Sequence, residues 1–190
     1  MKIVVAEGEQ FPVLYIGEEE TGIDGLMYQV SDIDWNRDLS PWYSQKIFRG
    51  GEDFAGKADE LLQEILAMDL PEKMIIAGYS LAGLFALYSC TLTDRFIGCV
   101  SASSSLWYPG FVDYLKTHPL HSKVVYFSLG DKEKNSRNPI LSTIEDKTKE
   151  VYAMVSGYAD CTLIMNPGNH FSDTAYRVEK GIEWVRQTIH

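Results

Sequence analysis

One serine stands between small residues at 78–83, where the sequence reads GYSLAG with a small residue two positions before and two positions after the serine. A strand pattern precedes this run and a helix pattern follows it, which is the strand–turn–helix context of a nucleophile elbow. Gly78 and Ala82 are small enough for the sharp turn that an elbow needs. The turn would place Ser80 at a helix N-terminus, where the Leu81 amide and the helix dipole favour an oxyanion. The alternative is a tight turn with a helix-capping serine.

A serine hydroxyl is a weak nucleophile and needs a base, so the four histidines are the next candidates. His170 lies in NPGNHF at 166–171, between a strand pattern and the last helix pattern. Loops at the carboxyl ends of parallel strands are where α/β sheets build their sites. His118 and His121 stand in a polar connector, and His190 is the last residue. His170 is therefore the predicted base, with a capping or core histidine as the alternative.

Folds that use such an elbow have the chain order serine, acid, histidine, so the acid should precede His170. A strand pattern at 124–129 ends in GDKEK, which offers Asp131 and Glu133. Asp131 follows the flexible Gly130 directly and has a short side chain, so we expect it to remain near the strand end. Glu133 lies further along and has a longer reach. This geometry favours Glu133 and leaves Asp131 open, and a solvated loop charge is the alternative for either.

Aromatic residues near these candidates predict a substrate pocket. A strand pattern at 97–101 leads into ASSSLWY, whose small residues leave room for a substrate beside Trp107 and Tyr108. Trp42 belongs to a long loop at 32–51, and long loops in compact domains are often functional. We predict that the three rings contact the substrate; core packing is the alternative for each.

The elements that would position these residues follow from hydrophobic periodicity. From residue 54 onward, strand and helix patterns alternate, which predicts a mostly parallel sheet with helices on both faces. The predicted strands are 74–77, 97–101, 124–129 and 162–165; the helices are 54–65, 81–92, one starting at Asn138, and a last one capped by Asp173. Three earlier strands, at 3–6, 13–16 and 27–30, are expected to be antiparallel, because a parallel crossover needs a dozen or more residues.

Length, charge and cysteine content narrow the class of protein. The 190 residues predict a single domain, and a net charge of −10 disfavours nucleic acid and anionic membranes as partners. The sequence has no apolar run of membrane-spanning length, and MKIVVAEGEQ is expected to be a first strand rather than a secretory segment. Three widely spaced cysteines predict no structural zinc site and fit a cytoplasmic protein. The oligomeric state stays open.

Four segments together give the chain a resemblance to a known family. They are GYSLAG at 78–83, SSSLWYPGF at 103–111, SLGDKE at 128–133 and NPGNHF at 166–171. In them the chain resembles the α/β-hydrolase branch that includes esterase D-like enzymes, ferric-siderophore esterases and mycolyltransferase antigens. The resemblance covers about residues 70 to 189. It implies an α/β-hydrolase fold, a Ser–acid–His triad, and no metal or cofactor. In the siderophore esterases of this branch the triad acid looks like the fourth residue of a G-x-x-E pattern, which residues 130–133 match at Glu133.

The chain departs from this family before residue 54. Residues 17–25 leave room only for a turn, where the family has a helix and a loop that gives the second oxyanion donor. The amide of Gly17 or Glu18 is the expected substitute. There is no room for a cap domain, so the pocket is expected to be open.

The sequence therefore predicts a carboxylic-ester hydrolase that acts on a small-molecule ester through an acyl-enzyme, with the triad Ser80, Glu133 and His170. An acyltransferase with the same triad is one alternative, since an open aromatic pocket could hold an acceptor alcohol. A non-catalytic binding module of the same fold is the other, and the intact triad argues against it. The aromatic residues predict a preference for aromatic or short acyl groups.

Overall fold

Residues 1–19 and 21–189, which the computed structural model describes, form nine strands and six α-helices. His190 lies outside the described residues. The strands are β1 (Lys2–Ala6), β2 (Val13–Ile16), β3 (Met27–Ser31), β4 (Tyr43–Ser44), β5 (Phe54–Ala55), β6 (Met74–Tyr79), β7 (Phe96–Ala102), β8 (Val124–Gly130) and β9 (Asp160–Asn166). The helices are α1 (Trp35–Asp38), α2 (Ala58–Leu66), α3 (Leu81–Leu92), α4 (Phe111–Thr117), α5 (Ile144–Val155) and α6 (Thr174–Thr188).

Seven strands form one sheet in the order β1-β3-β2-β6-β7-β8-β9, while β4 and β5 form a separate two-stranded pair. Only β1 runs antiparallel to its neighbour, β3, and all other pairs in the large sheet are parallel. Strands β6, β7 and β8 are almost fully buried, because helices cover both faces. The predicted fold class, a mostly parallel α/β sheet with an antiparallel start, is confirmed.

One expected pairing is wrong, because β2 and β3 are parallel, with Val13 opposite Met27 and Ile16 opposite Val30. The length rule behind the expectation assumes a helix within a parallel crossover. Here the described residues of the 17–26 connection contain no helix, so fewer residues suffice. The antiparallel expectation holds for β1, which pairs with β3 rather than with β2.

The helices pack in two layers, one on each face of the sheet. Helices α2, α3, α4 and α5 contribute to the larger core cluster, while α6 packs on the opposite face against β6, β7 and β8. Helix α3 is buried nearly all round, and burial of a side chain such as Phe85 contributes about 1.5–3 kcal/mol. This burial fixes the helix whose N-terminus follows Ser80. None of the helices in residues 1–19 and 21–189 has the length and hydropathy that a bilayer-spanning segment needs.

Two predicted helix starts and one predicted helix cap differ from the structure. Phe54 belongs to β5, and α2 begins only at Ala58. The Asn138 side chain accepts from the amides of Ile140 and Leu141, so it starts a short 3-10 turn and α5 begins at Ile144. Asp173 makes no side-chain capping bond, because its φ of 52° is left-handed whereas a capping side chain needs extended backbone.

Candidate active site

Ser80 occupies the sharp turn between β6 and α3. Its φ of 57° and ψ of −121° are strained for a residue with a side chain, and its hydroxyl makes no capping bond to the helix. A Cβ on Gly78 would lie 2.4 Å from the Ala82 carbonyl carbon and 2.8 Å from the Gly83 amide nitrogen, so the turn requires glycine there. Ser80 is therefore not a helix-capping serine, and its backbone is held in a strained turn.

His170 lies between the serine and a carboxylate. Its Nε2 is 2.9 Å from Ser80 Oγ, and its Nδ1 is 2.7 Å from Glu133 Oε2. If Nδ1 carries the proton and donates to Glu133, Nε2 is left to accept from Ser80. Tyr79, which precedes the serine, donates its hydroxyl to the His170 carbonyl at 2.7 Å and so fixes the histidine backbone. The structure therefore brings Ser80, His170 and Glu133 into one hydrogen-bonded chain.

Glu133 follows β8 and is the carboxylate that reaches the histidine. Its side chain is only 4% exposed and also accepts from the Gly130 amide at 2.7 Å. Burial opposes ionisation of this carboxyl, but the hydrogen bonds from His170 and Gly130 outweigh it and hold the pKa of Glu133 below its ordinary value. Asp131 instead accepts from the Gly168 amide at 2.9 Å, in the loop that carries His170.

A buried arginine that the sequence analysis did not single out contacts the same carboxylate. The Arg177 side chain, from α6, is fully buried, and its Nη1 lies 3.1 Å from Glu133 Oε1. The same nitrogen is 3.1 Å from the Tyr79 hydroxyl and 3.0 Å from Ser103 Oγ. Its Nη2 donates to the carbonyls of two residues that precede His170 in the loop, Pro167 and Asn169. One guanidinium thus links Glu133, Tyr79 and the histidine loop.

A cavity of about 480 Å³ opens beside Ser80. Besides Ser80 and Leu81, its wall comes from five parts of the chain: the long loop with α1, strand β5, the segment after β7, the segment from β8 to the start of α5, and the histidine loop. The aromatic lining residues are Trp35, Phe48, Phe54, Trp107 and Phe171. The mostly apolar wall suits an organic group that carries rings or short chains.

Trp42 and Tyr108 do not line this cavity, contrary to the sequence prediction. Trp42 packs in an aromatic cluster with Tyr88, Tyr108, Phe111 and Tyr114, at centroid distances of 5.4 to 6.4 Å. The Tyr108 hydroxyl donates to the Trp42 carbonyl at 2.6 Å, and Tyr108 is 1% exposed. Both rings are held behind the wall because their polar atoms find backbone partners there. Trp107, which directly precedes Tyr108 in the chain, does line the cavity.

The two predicted oxyanion donors differ in availability. Leu81 is the first residue of α3 and lines the cavity beside Ser80, so its amide belongs to the free N–H groups of a helix start. The Gly17 amide instead donates to the Val30 carbonyl at 3.0 Å. This bond continues the parallel pairing of β2 and β3 beyond the end of β2. The Gly17 amide is therefore not free to bind an oxyanion, contrary to the prediction that it is a second donor.

No group of three or more His, Cys, Asp or Glu side chains within residues 1–19 and 21–189 is placed to hold a metal ion.

No protein-family model matches the sequence, and no curated protein is detectably similar to it. Solved structures do match. An IroE-like serine hydrolase from Shewanella oneidensis has a TM-score of 0.72 at 15% identity, over 97% of this chain and 74% of that one. The siderophore hydrolase EstA from Aspergillus nidulans has a TM-score of 0.64 at 16% identity, over 96% and 84%. Est1E from Butyrivibrio proteoclasticus, solved with ferulic acid, has a TM-score of 0.53 at 12% identity, over 98% and 93%. The likeness shows a shared fold, which is that of the α/β-hydrolases.

Proposed function

We propose that this protein is a serine hydrolase that cleaves carboxylic esters through an acyl-enzyme formed on Ser80. The observation that carries the proposal is the chain of hydrogen bonds from Ser80 through His170 to Glu133, beside an apolar cavity. Similar structures are named a serine hydrolase, a siderophore hydrolase and a ferulic acid esterase, which supports ester hydrolysis.

In the acylation step, Ser80 Oγ attacks the ester carbonyl carbon while His170 Nε2 takes the hydroxyl proton. Glu133 holds the imidazole in orientation and stabilises the imidazolium that forms. The Leu81 amide donates to the oxyanion of the tetrahedral intermediate. When the intermediate collapses, the bond to the leaving oxygen breaks, and His170 gives its proton to the departing alcohol.

In the deacylation step, a water molecule replaces the alcohol. His170 takes a proton from this water as its oxygen attacks the acyl carbon, and a second oxyanion forms at the same donors. Collapse breaks the bond to Ser80 Oγ, and His170 returns the proton to the serine. The carboxylic acid leaves and the enzyme is regenerated. An alcohol that takes the place of water would give acyl transfer with the same three residues.

The cavity supports small esters with an aromatic or short acyl group as substrates. Rings stack on rings with about 0.5–1.5 kcal/mol beyond the burial of area, and Trp107 and Phe171 stand near Ser80 and His170 in the wall. Two of the similar structures are named for ferulic acid, which is an aromatic acid.

A fluorophosphonate probe tests the proposal, because it reacts only with an activated serine. We expect mass mapping to place the label on Ser80 and none on the serines of the 103–105 segment. Ser80→Ala should abolish labelling and lower ester turnover by several orders of magnitude. Label on the 103–105 segment with Ser80 unmodified, or full turnover by Ser80→Ala, would overturn the proposal. Adding an acceptor alcohol to the same assay measures transfer against hydrolysis.

A further inference from the structure

The proposed reaction has one identified oxyanion donor, the Leu81 amide, where folds of this kind use two. The second usually comes from the loop after the strand that precedes the nucleophile strand in the sheet order. Here that strand is β2, and the Gly17 amide that follows it is bonded to the Val30 carbonyl. Neither Gly17 nor Glu18, the two expected substitutes, lines the cavity beside Ser80, so the second donor is expected from another element.

Ser105, in the segment after β7, has its hydroxyl close to the reacting atom. Its Oγ lies 3.4 Å from Ser80 Oγ, and the residue lines the cavity together with Ser80 and Leu81. The Ser105 amide donates to the Ser80 carbonyl at 3.0 Å, which ties the position of Ser105 to that of the nucleophile. Although it lines the cavity, Ser105 is only 2% exposed, so its hydroxyl is shielded from bulk water.

The direction of the proton between the two serines follows from the rest of the site. When His170 Nδ1 carries its proton toward Glu133, the Ser80 hydroxyl donates its only proton to His170 Nε2, at 2.9 Å. The contact between the serines therefore has Ser105 as donor and Ser80 Oγ as acceptor. At 3.4 Å this bond is long, so it holds the Ser105 proton near the reaction centre without strong competition from Ser80. Contacts of this kind tighten when charge develops in the transition state.

The neighbouring serines of the same segment are engaged elsewhere. Ser103 Oγ accepts from Arg177, and Ser104 Oγ is hydrogen-bonded to Ser101 Oγ. Among the described residues, the Ser105 hydroxyl has Ser80 Oγ as its only hydrogen-bond partner. Of the three consecutive hydroxyls, that of Ser105 is thus the one directed at the nucleophile.

We propose that the Ser105 hydroxyl is the second oxyanion donor, and acts with the Leu81 amide on the tetrahedral intermediates. The inference rests on the proposed esterase function. The oxyanion is bonded to the carbon that Ser80 attacks, so it forms within reach of a donor that already points at Ser80 Oγ. A side-chain hydroxyl in this position replaces the Gly17 amide as oxyanion donor, because that amide is hydrogen-bonded within the sheet.

The test is steady-state kinetics of Ser105→Ala, Ser105→Cys and Ser105→Thr on one activated ester. Loss of an oxyanion donor lowers kcat by about 10² to 10³-fold. We expect this loss in the Ala and Cys variants with KM changed less than threefold. The Cys variant fills the volume of the serine and replaces a strong donor by a weak one. The Thr variant keeps a hydroxyl and should retain activity within tenfold. Ser104→Ala is the matched control and should keep kcat.

A boronic acid that forms a tetrahedral adduct with Ser80 gives the second readout. Its inhibition constant should rise in Ser105→Cys by a factor similar to the fall in kcat/KM, since both report the tetrahedral state. An unchanged kcat in the Cys variant overturns the inference, and so does a raised KM with unchanged boronate affinity. Asn36 also lines the cavity and carries a side-chain amide that could donate. The inference is overturned as well if Asn36→Ala lowers kcat and Ser105→Cys does not. If Ser80→Ala and His170→Ala both keep activity, the proposed function itself fails.

Discussion

The two oxygens of the Glu133 carboxylate have separate partners. Oε2 accepts from His170 Nδ1, while Oε1 accepts from the Gly130 amide and from Arg177. A carboxylate that is held at both oxygens cannot rotate, so the position of Oε2 relative to the imidazole is fixed before a substrate binds. Asp131 has a different use, since it holds the histidine loop through the Gly168 amide.

The first prediction compares these two carboxylates. Glu133→Gln should lower kcat by about 10³ to 10⁴-fold, because an amide cannot both orient the imidazole and stabilise the imidazolium. Asp131→Asn should cost less than about tenfold, since the Asn oxygen can still accept from Gly168. Turnover of one ester by the two variants is the measurement. The reverse ranking would assign the acid to Asp131.

The second prediction concerns stability against pH. The pKa of Glu133 is lower in the folded protein than its ordinary value of 4.5, so below that value the unfolded chain binds more protons than the folded chain. This stabilisation is complete above pH 4.5 and is lost as the pH falls through the lower folded pKa. Glu133→Gln removes the titration, so its free energy of unfolding should fall less steeply with acid than that of the unmodified protein. Urea unfolding between pH 3 and 7 measures both slopes; equal slopes would contradict the prediction.

Much of the proposed site could be predicted from sequence because each residue lies in a distinctive local context. Ser80 has its glycine-flanked turn, and His170 and Glu133 each follow a strand. Gly17 could not be judged this way, since the partner of its amide depends on which strand lies beside β2. Arg177 has a signal in the sequence, because it is a charged residue next to Val178 on the buried stripe of α6.

At the scale of elements, α6 is more than a cover for one face of the sheet. It places the Arg177 guanidinium at the carboxyl ends of β6, β7 and β8. The guanidinium is fully buried there, so water does not compete for its hydrogen bonds. A buried ion pair is costly to break, because the remaining charge is left without a partner. The helix therefore couples the geometry of the site to the stability of the fold.

The third prediction follows from this coupling. Arg177→Met should lower the free energy of unfolding by about 3 kcal/mol, within the range for breaking a buried pair, and should lower kcat because the histidine loop loses two anchors. Lys180→Met is the control on the same helix, since its pair with Glu183 is exposed, and it should change neither quantity appreciably. Urea unfolding and ester turnover are the measurements. Equal effects of the two substitutions would refute the coupling.

The elements themselves were predicted best where periodicity was strong. Strands β6 to β9 and helix α3 appear close to their predicted bounds, and all of them except the half-exposed β9 are buried apolar runs. The parallel pairing of β2 with β3 was missed, since the described part of the 17–26 crossover has no helix and so gives no periodic signal. The start of α5 was misplaced because Asn138 and Pro139 begin a 3-10 turn, which shares the capping signals of an α-helix.

At the scale of the whole molecule, the cavity is assembled from segments that are far apart in sequence. Trp35 and Phe48 come from the long loop, Trp107 follows β7, and Phe171 follows the proposed base. Periodicity predicts none of these contacts, because they depend on how the loops fold over the sheet edge. The same fact explains why Trp42 and Trp107 were not distinguished by sequence.

The fourth prediction separates those two tryptophans. Trp107→Ala should raise KM for aryl esters more than for acetates of aliphatic alcohols, because it removes a ring from the cavity wall. Trp42→Ala should leave that ratio unchanged and lower the free energy of unfolding by about 3 kcal/mol, because its ring packs among four others. Ester kinetics and urea unfolding of both variants provide the comparison. An equal rise in KM for both ester types in Trp107→Ala would count against a wall position.

The left-handed backbone of Ser80 has a consequence for the history of such a chain. A residue with a side chain is strained there by about 1–3 kcal/mol, whereas glycine is not. Ser80→Gly should therefore unfold at a higher temperature than Ser80→Ala, although glycine usually loosens a protein. The Ser80→Gly variant would then combine higher stability with the loss of the proposed nucleophile. A screen of random variants for stability alone would therefore favour this inactive substitution. The strain at Ser80 is therefore a cost in stability that the proposed nucleophilic role accounts for.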